Sequence, residues 1–64
     1  MGKSKNWFRY RIFKKKNDKL AYLKTKWISG IDYREADEII KNECKDIISA
    51  GGKIFDFHNN REVV

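Results

Sequence analysis

The sequence predicts a small α+β domain of ββαβ order, with one helix packed on one face of a three-stranded antiparallel or mixed sheet. Three observations support this fold class. Apolar and polar residues alternate with a period of two in residues 6–28 and again in residues 53–58, a pattern typical of half-buried strands. Residues 32–50 instead carry apolar residues at helical spacing. The chain of 64 residues is long enough for one domain, 1–64, with a single small core.

Residues 6–28 are predicted to form a β-hairpin. In the first strand one face carries Phe8, Tyr10 and Ile12, and the other carries Trp7, Arg9, Arg11 and Phe13. In the second strand the alternation gives Ala21, Leu23, Thr25 and Trp27 to the first face and Leu20, Tyr22, Lys24 and Lys26 to the second. Asn17 and Asp18 tolerate the left-handed conformations of tight turns, so we expect a loop of either two or four residues here.

Residues 32–50 are predicted to form the helix. Asp32 and Glu35 have the spacing of a capping box, in which Asp32 accepts a backbone amide at the start of the helix and Glu35 reaches back to the amide of Asp32 itself. The apolar stripe consists of Tyr33, Ala36, Ile40, Cys44 and Ile47. The pair Gly51-Gly52 is the left-handed stop that is common just past a helix end.

Residues 53–58 are predicted as the third strand, between a flexible basic arm at 1–5 and a frayed tail at 59–64. A helix between two strands forms a right-handed crossover that joins parallel strands, so the third strand docks beside the first in the order 2-1-3. The helix then covers one face of the sheet. The predicted core is Phe8, Tyr10, Ile12, Leu23, Trp27, Phe55 and Phe57 against the helix stripe, with Ile54 and His58 on the uncovered face.

Positive charge is concentrated in the first half of the chain. Residues 1–30 contain ten Lys or Arg and one acid, Asp18, for a net charge of +9. Residues 31–64 contain five Lys or Arg and eight acids, for a net charge of −3, which gives the total of +6. A basic excess that is confined to one segment is typical of a surface that binds a polyanion.

The uncovered face of the hairpin is therefore the predicted binding site, because cations neutralise phosphates and flat rings stack on bases. The predicted nucleic-acid-binding residues are Trp7, Arg9, Arg11, Phe13, Lys14, Lys15, Lys16, Tyr22, Lys24 and Lys26. Either loop length places an Arg directly opposite a Lys, which destabilises a sheet and would be relieved by a bound polyanion. The predicted partner is DNA or RNA, held by a monomer or weak homodimer.

Three alternatives stay open for this face. Long basic side chains can cover aromatic rings and simply keep a sheet face soluble. Aromatic and Arg residues are also frequent in protein interfaces, so a small inhibitor or adaptor that binds an acidic protein is the main alternative function. A homodimer through the uncovered faces is opposed by their like charge.

The sequence gives little support for catalysis. It contains one cysteine, Cys44, on the apolar helix stripe, and one histidine, His58, near the chain end, so we expect neither a catalytic pair nor a metal site. No cofactor motif is present. No apolar run approaches the length of a membrane span, and the N-terminus lacks the apolar core of a signal peptide. We therefore expect a cytoplasmic protein that is not an enzyme and has no membrane partner.

Overall fold

The computed structural model describes residues 5–64, and most of the predicted arm at 1–5 lies outside them. Six elements follow in chain order: β1 (Asn6–Lys16), β2 (Lys19–Gly30), α1 (Tyr33–Glu43), α2 (Lys45–Ser49), β3 (Lys53–Asp56) and β4 (Arg61–Glu62). The strands form one sheet in the order β2-β1-β3-β4, and all three neighbouring pairs are antiparallel. The predicted α+β class is confirmed.

The end of the chain adds a fourth strand to the sheet. The segment 59–64 was predicted as a frayed tail, but β4 pairs with β3, and the Val63 amide donates to the Ile54 carbonyl at 2.9 Å. Val63 and Val64 pack against the hydrophobic core. The tail prediction was wrong because β3 offers an edge on which Arg61 and Glu62 pair, and because Val63 and Val64 gain contact with the core.

The β-hairpin contains a bulge that changes its register. Asn17 and Asp18 have φ of 51° and 62°, as a two-residue type I′ turn requires. From this turn the pairing is regular as far as Phe13 and Tyr22, and then Ile12 pairs with Lys24. Leu23 is the extra residue. Because a bulge inserts one residue into one strand, every residue of β2 beyond it moves to the opposite face.

The bulge overturns the predicted faces of β2. Arg9 lies opposite Trp27 and Arg11 opposite Thr25, so the expected Arg–Lys juxtaposition does not occur. Lys24 and Lys26 lie on the helix side of the sheet, opposite Ile12 and Tyr10. The predicted core residues Leu23 and Trp27 are exposed instead, and Ile28 is buried.

The predicted faces of β3 were also inverted. Ile54 and Asp56 are fully buried, and they pair with Ile12 and Tyr10. Phe55 and Phe57 are half-buried on the face that the helices leave uncovered. The carboxylate of Asp56 can be buried because it accepts the His58 and Asn59 amides at 3.0 and 3.1 Å.

The predicted helix is divided into two at Cys44, which ends α1 and begins α2. The predicted N-cap is present, since the Asp32 carboxylate accepts the Glu35 amide at 3.0 Å, but Glu35 accepts the amide of Ile31 at 3.2 Å and not that of the cap residue itself. Gly51 has φ of +96°, and a Cβ at Gly52 would lie 2.7 Å from the Phe13 carbonyl oxygen. The chain can therefore leave α2 and enter β3 only with glycines in this turn.

The core lies between the helices and one face of the sheet. Its buried residues are Phe8, Tyr10, Ile12, Ile28, Ala36, Ile40, Cys44 and Ile54. Tyr33, which was predicted to belong to the core, is 43% exposed, and its ring lies against the Arg61 guanidinium at 4.7 Å. Within residues 5–64, no helix is long and apolar enough to cross a membrane.

Candidate functional site

The helices pack on one side of the sheet, and the other side, here called the open face, is the candidate site. Three transverse rows of side chains form its centre. The rows are Trp27–Arg9–Phe57, Thr25–Arg11–Phe55–Glu62 and Tyr22–Phe13–Lys53. Trp7 and Ser29 lie at one end of the open face, and Lys15 and Leu20 at the other. The face therefore interleaves aromatic rings with cations.

Two guanidinium groups share one aromatic ring at the centre of the open face. The guanidinium carbons of Arg9 and Arg11 lie 4.0 and 4.1 Å from the centroid of the Phe57 ring. Arg9 also lies 5.5 Å from the Trp27 ring. These distances are within the range of cation–π attraction, which holds the two like charges side by side. In residues 5–64, no carboxylate forms a salt bridge with Arg9 or Arg11.

Three large rings project from the open face into solvent. Trp7 is 62% exposed, Tyr22 57% and Trp27 52%. The Tyr22 ring meets Phe13 edge to face with centroids 5.9 Å apart, and its hydroxyl is 2.6 Å from Thr25 Oγ1. Large exposed apolar surfaces of this kind mark interaction sites on small proteins.

A shallow groove of about 440 Å³ lies on the open face between the tip half of β1 and β3. Its lining contains three aromatic rings, those of Phe13, Phe55 and Phe57, together with Arg11, Leu20, Lys53 and Glu62. Ile54 completes the lining. The groove thus combines an apolar aromatic surface with two cations and one carboxylate.

The structure divides the ten predicted site residues between two surfaces. The open face carries Trp7, Arg9, Arg11, Phe13, Lys15 and Tyr22, and the helix side carries Lys14, Lys16, Lys24 and Lys26. Lys26 forms a salt bridge with Glu43 of α1, and this contact raises its pKa. Lys26 therefore ties β2 to the helix, and Lys24 shares that side of the strand.

The open face also contains residues that the sequence placed elsewhere. Trp27, Phe55 and Phe57 were predicted to lie in the core, and Lys53 and Glu62 were not singled out. That Leu23 is unpaired can be recognised only from the observed pairing of β1 with β2. The alternation of apolar and polar residues in β2 fits a regular hairpin equally well. For β3 the available signal was the Asp56–His58–Asn59 segment, in which an Asp can accept the amides of its own turn.

The remaining reactive side chains have structural surroundings. Cys44 is buried in the core, and burial raises the pKa of its thiol, which disfavours the nucleophilic thiolate. His58 is exposed and meets the Phe8 ring edge to face at 5.8 Å. Across residues 5–64, no three His, Cys, Asp or Glu side chains are grouped closely enough to hold a metal ion.

Comparison of the chain with protein-family models, with curated proteins and with solved structures finds no match. The chemistry of the open face is thus the basis for a functional assignment. Its cations can bind anionic groups and its exposed rings can stack on flat partners.

Proposed function

We propose that this protein is a non-enzymatic binding module that holds nucleic acid on the open face of its sheet. The observation that carries the proposal is the alternation of guanidinium groups with exposed rings on an uncovered sheet face: Arg9 and Arg11 beside Trp7 and Trp27. Phosphates attract the cations, and bases stack on the rings, so both parts of a nucleotide find a complementary group.

The charge distribution supports the same proposal. Arg9, Arg11, Lys15 and Lys53 lie on the open face with one carboxylate, Glu62, whereas much of the acidic half of the chain lies in the helices. A polyanion therefore approaches the open face with less repulsion than the helix side of the domain. A cytoplasmic location belongs to the proposal, since nucleic acid is present there.

A salt titration of binding tests the proposal. We would measure the affinity for mixed-sequence single-stranded and duplex oligonucleotides by fluorescence anisotropy over a range of salt concentrations. If about four open-face cations contact phosphates, the log–log slope for a single strand should be roughly −3. Substituting Arg9→Gln and Arg11→Gln together should flatten the slope by about 1.4.

The double variant Lys24→Gln/Lys45→Gln is the matched control. It removes the same net charge, but Lys24 lies on the helix side of β2 and Lys45 begins α2. If binding uses the open face, the control keeps the wild-type slope to within a few tenths. Equal flattening in both double variants would show that net charge, and not the open face, determines binding.

An acidic protein partner is the second candidate function. Leu20 is 51% exposed beside the apolar groove, and exposed Trp, Tyr and Arg side chains are the residues that dominate protein interfaces. If wild-type protein binds neither polymer at about 50 mM salt, where phosphate contacts are strong, nucleic-acid binding is excluded and the protein-partner function takes its place.

A further inference from the structure

The groove on the open face has features that the proposed function does not explain. Stacking on a sheet needs only exposed rings, yet Phe13, Phe55 and Phe57 are half-buried in the lining of a groove. The lining is also asymmetric in charge, because it carries Arg11 and Lys53 together with Glu62. A carboxylate is unfavourable beside a phosphate chain unless it contacts a donor of the ligand.

The strand register fixes the order of these groups. Arg11 pairs with Phe55, and Phe55 pairs in turn with Glu62, so the three side chains form one line across the sheet. The ring of Phe55 lies between a guanidinium on β1 and a carboxylate on β4. A flat ligand seated on Phe55 would therefore have a cation at one edge and an acceptor at the opposite edge.

Neither Arg11 nor Glu62 forms a salt bridge within the described residues, although the Arg11 guanidinium lies against the Phe57 ring. Among residues 5–64, the salt bridges join Lys26 to Glu43, Lys41 to Glu38, and Arg61 to two aspartates, and none involves Glu62, Arg11 or Lys53. Glu62 is exposed, so its carboxylate keeps both oxygens available as acceptors. The arrangement is thus open to a ligand that supplies hydrogen-bond donors.

We propose that the groove seats one unpaired base of a single-stranded nucleic acid, with guanine preferred because Glu62 accepts hydrogen bonds from its Watson–Crick edge. This inference rests on the proposed function. Guanine presents two adjacent donors, N1–H and the N2 amino group, which match the two oxygens of a carboxylate. Adenine and cytosine present one amino donor beside an acceptor, and thymine and uracil one imide donor between two acceptors.

The other groove residues have separate roles in this arrangement. The Phe55 ring stacks on the base, a contact that every base can make. Arg11 and Lys53 bind the phosphates on either side of the base, which adds affinity without base preference. Selectivity therefore depends on Glu62 alone. A base inside a duplex has its Watson–Crick edge occupied by its partner strand, so only an unpaired guanine can bind in this way.

The test uses single-stranded thymidine oligonucleotides of about 15 nucleotides, each with dG, dA, dC or dT at the central position. Wild-type protein should bind the dG oligonucleotide about fivefold to tenfold more tightly than the other three. Pairing the dG oligonucleotide with its complement should remove this advantage. A single dG in a thymidine background avoids the self-association of guanine-rich strands.

Two isosteric variants separate base recognition from charge. Glu62→Gln should bind all four oligonucleotides with equal affinity, because an amide offers only one acceptor atom. Glu38→Gln changes the net charge equally at an exposed position on α1, and it should keep the preference for dG.

The outcomes distinguish this inference from the function on which it rests. Equal affinity of the wild type for all four oligonucleotides, or a preference for dG that survives Glu62→Gln, overturns guanine recognition in the groove and leaves nucleic-acid binding in place. If the wild type binds no oligonucleotide, single-stranded or duplex, the proposed function fails, and guanine recognition fails with it.

Discussion

The Tyr10 hydroxyl donates a hydrogen bond of 2.7 Å to Asp37 Oδ1, and this bond joins the central strand of the sheet to α1. The other oxygen of Asp37 accepts from Arg61, which also pairs with the buried Asp56 at 3.3 Å. The four side chains connect β1, α1, β3 and β4 around the edge of the core. A partly buried network of this kind stabilises the fold only while every member keeps its partner.

The first prediction concerns pH. Burial, and then the hydrogen bond to Asp37, raise the pKa of Tyr10 well above its ordinary value. The unfolded chain releases the phenolic proton near pH 10 and the folded chain does not. The stability that depends on the neutral phenol is therefore complete below about pH 10 and is lost as the pH rises further. Urea unfolding between pH 8 and pH 11 measures this loss.

Tyr10→Phe and Tyr22→Phe are the variants for this experiment. Tyr10→Phe should lower the free energy of unfolding at pH 8 by roughly 1–2 kcal/mol and should lose less stability than the wild type above pH 10. Tyr22→Phe alters an exposed ring and should follow the wild-type curve. Parallel curves for wild type and Tyr10→Phe would show that Tyr10 does not determine the alkaline loss.

The second prediction concerns the two faces of β3. Ile54 is fully buried between β1 and the helices, whereas Phe55 is half-buried on the open face. Ile54→Ala should cost about 2–5 kcal/mol, which would largely unfold so small a domain. Phe55→Ala should cost less, although it removes the larger side chain. Thermal melts of the two variants measure these losses of stability. A larger loss for Phe55→Ala than for Ile54→Ala would support the prediction from the sequence, in which Phe55 faces the core.

The sequence was sufficient for the parts of the fold that depend on local pattern. The helix N-cap at Asp32 and the turn at Asn17 and Asp18 are both visible as residue types at fixed spacings. Each of these features is decided within a few residues. The helix stripe was also predicted well at Ala36, Ile40 and Cys44, which are buried in the core.

The faces of β2 and β3 depended on contacts that are distant in sequence. At Leu23 a regular ladder and a bulged ladder satisfy the same alternation, and the bulged ladder is the one that brings Lys26 to Glu43 and Ile28 to the core. At Asp56 the burial of a carboxylate requires Arg61 and Asn59 beyond the strand. The face of the sheet was consequently predicted correctly for Trp7, Arg9, Arg11 and Phe13 of β1 and incorrectly for Lys24 and Lys26 of β2.

The third prediction tests the bulge by deletion. Removing Leu23 leaves every pair of the β1–β2 ladder intact, because this residue has no partner in β1. The deletion should therefore preserve the fold, with a change in melting temperature of about 5 °C or less. Deleting Arg11 is the control, since its own side chain is exposed but its loss turns Ile12 away from the core.

The Arg11 deletion should unfold the domain, and circular dichroism would measure both outcomes. Unfolding of the Leu23 deletion to the same extent would mean that the bulge itself is needed for the twist of the hairpin and is not merely tolerated.

The last prediction uses the tryptophans as reporters of binding. The chain has two, Trp7 and Trp27, and both are more than half exposed on the open face, so their fluorescence depends on what covers that face. If bases stack on them, a single-stranded oligonucleotide should quench the emission, and the variants Trp7→Phe and Trp27→Phe should each keep part of the effect.

Trp27→Ala should weaken binding by about 1–3 kcal/mol and leave the salt slope unchanged, because a neutral ring releases no counterions. Quenching that persists at salt concentrations high enough to abolish the binding seen by anisotropy would indicate a non-specific effect. A salt slope altered by Trp27→Ala would indicate that the ring positions Arg9 and does not stack on a base.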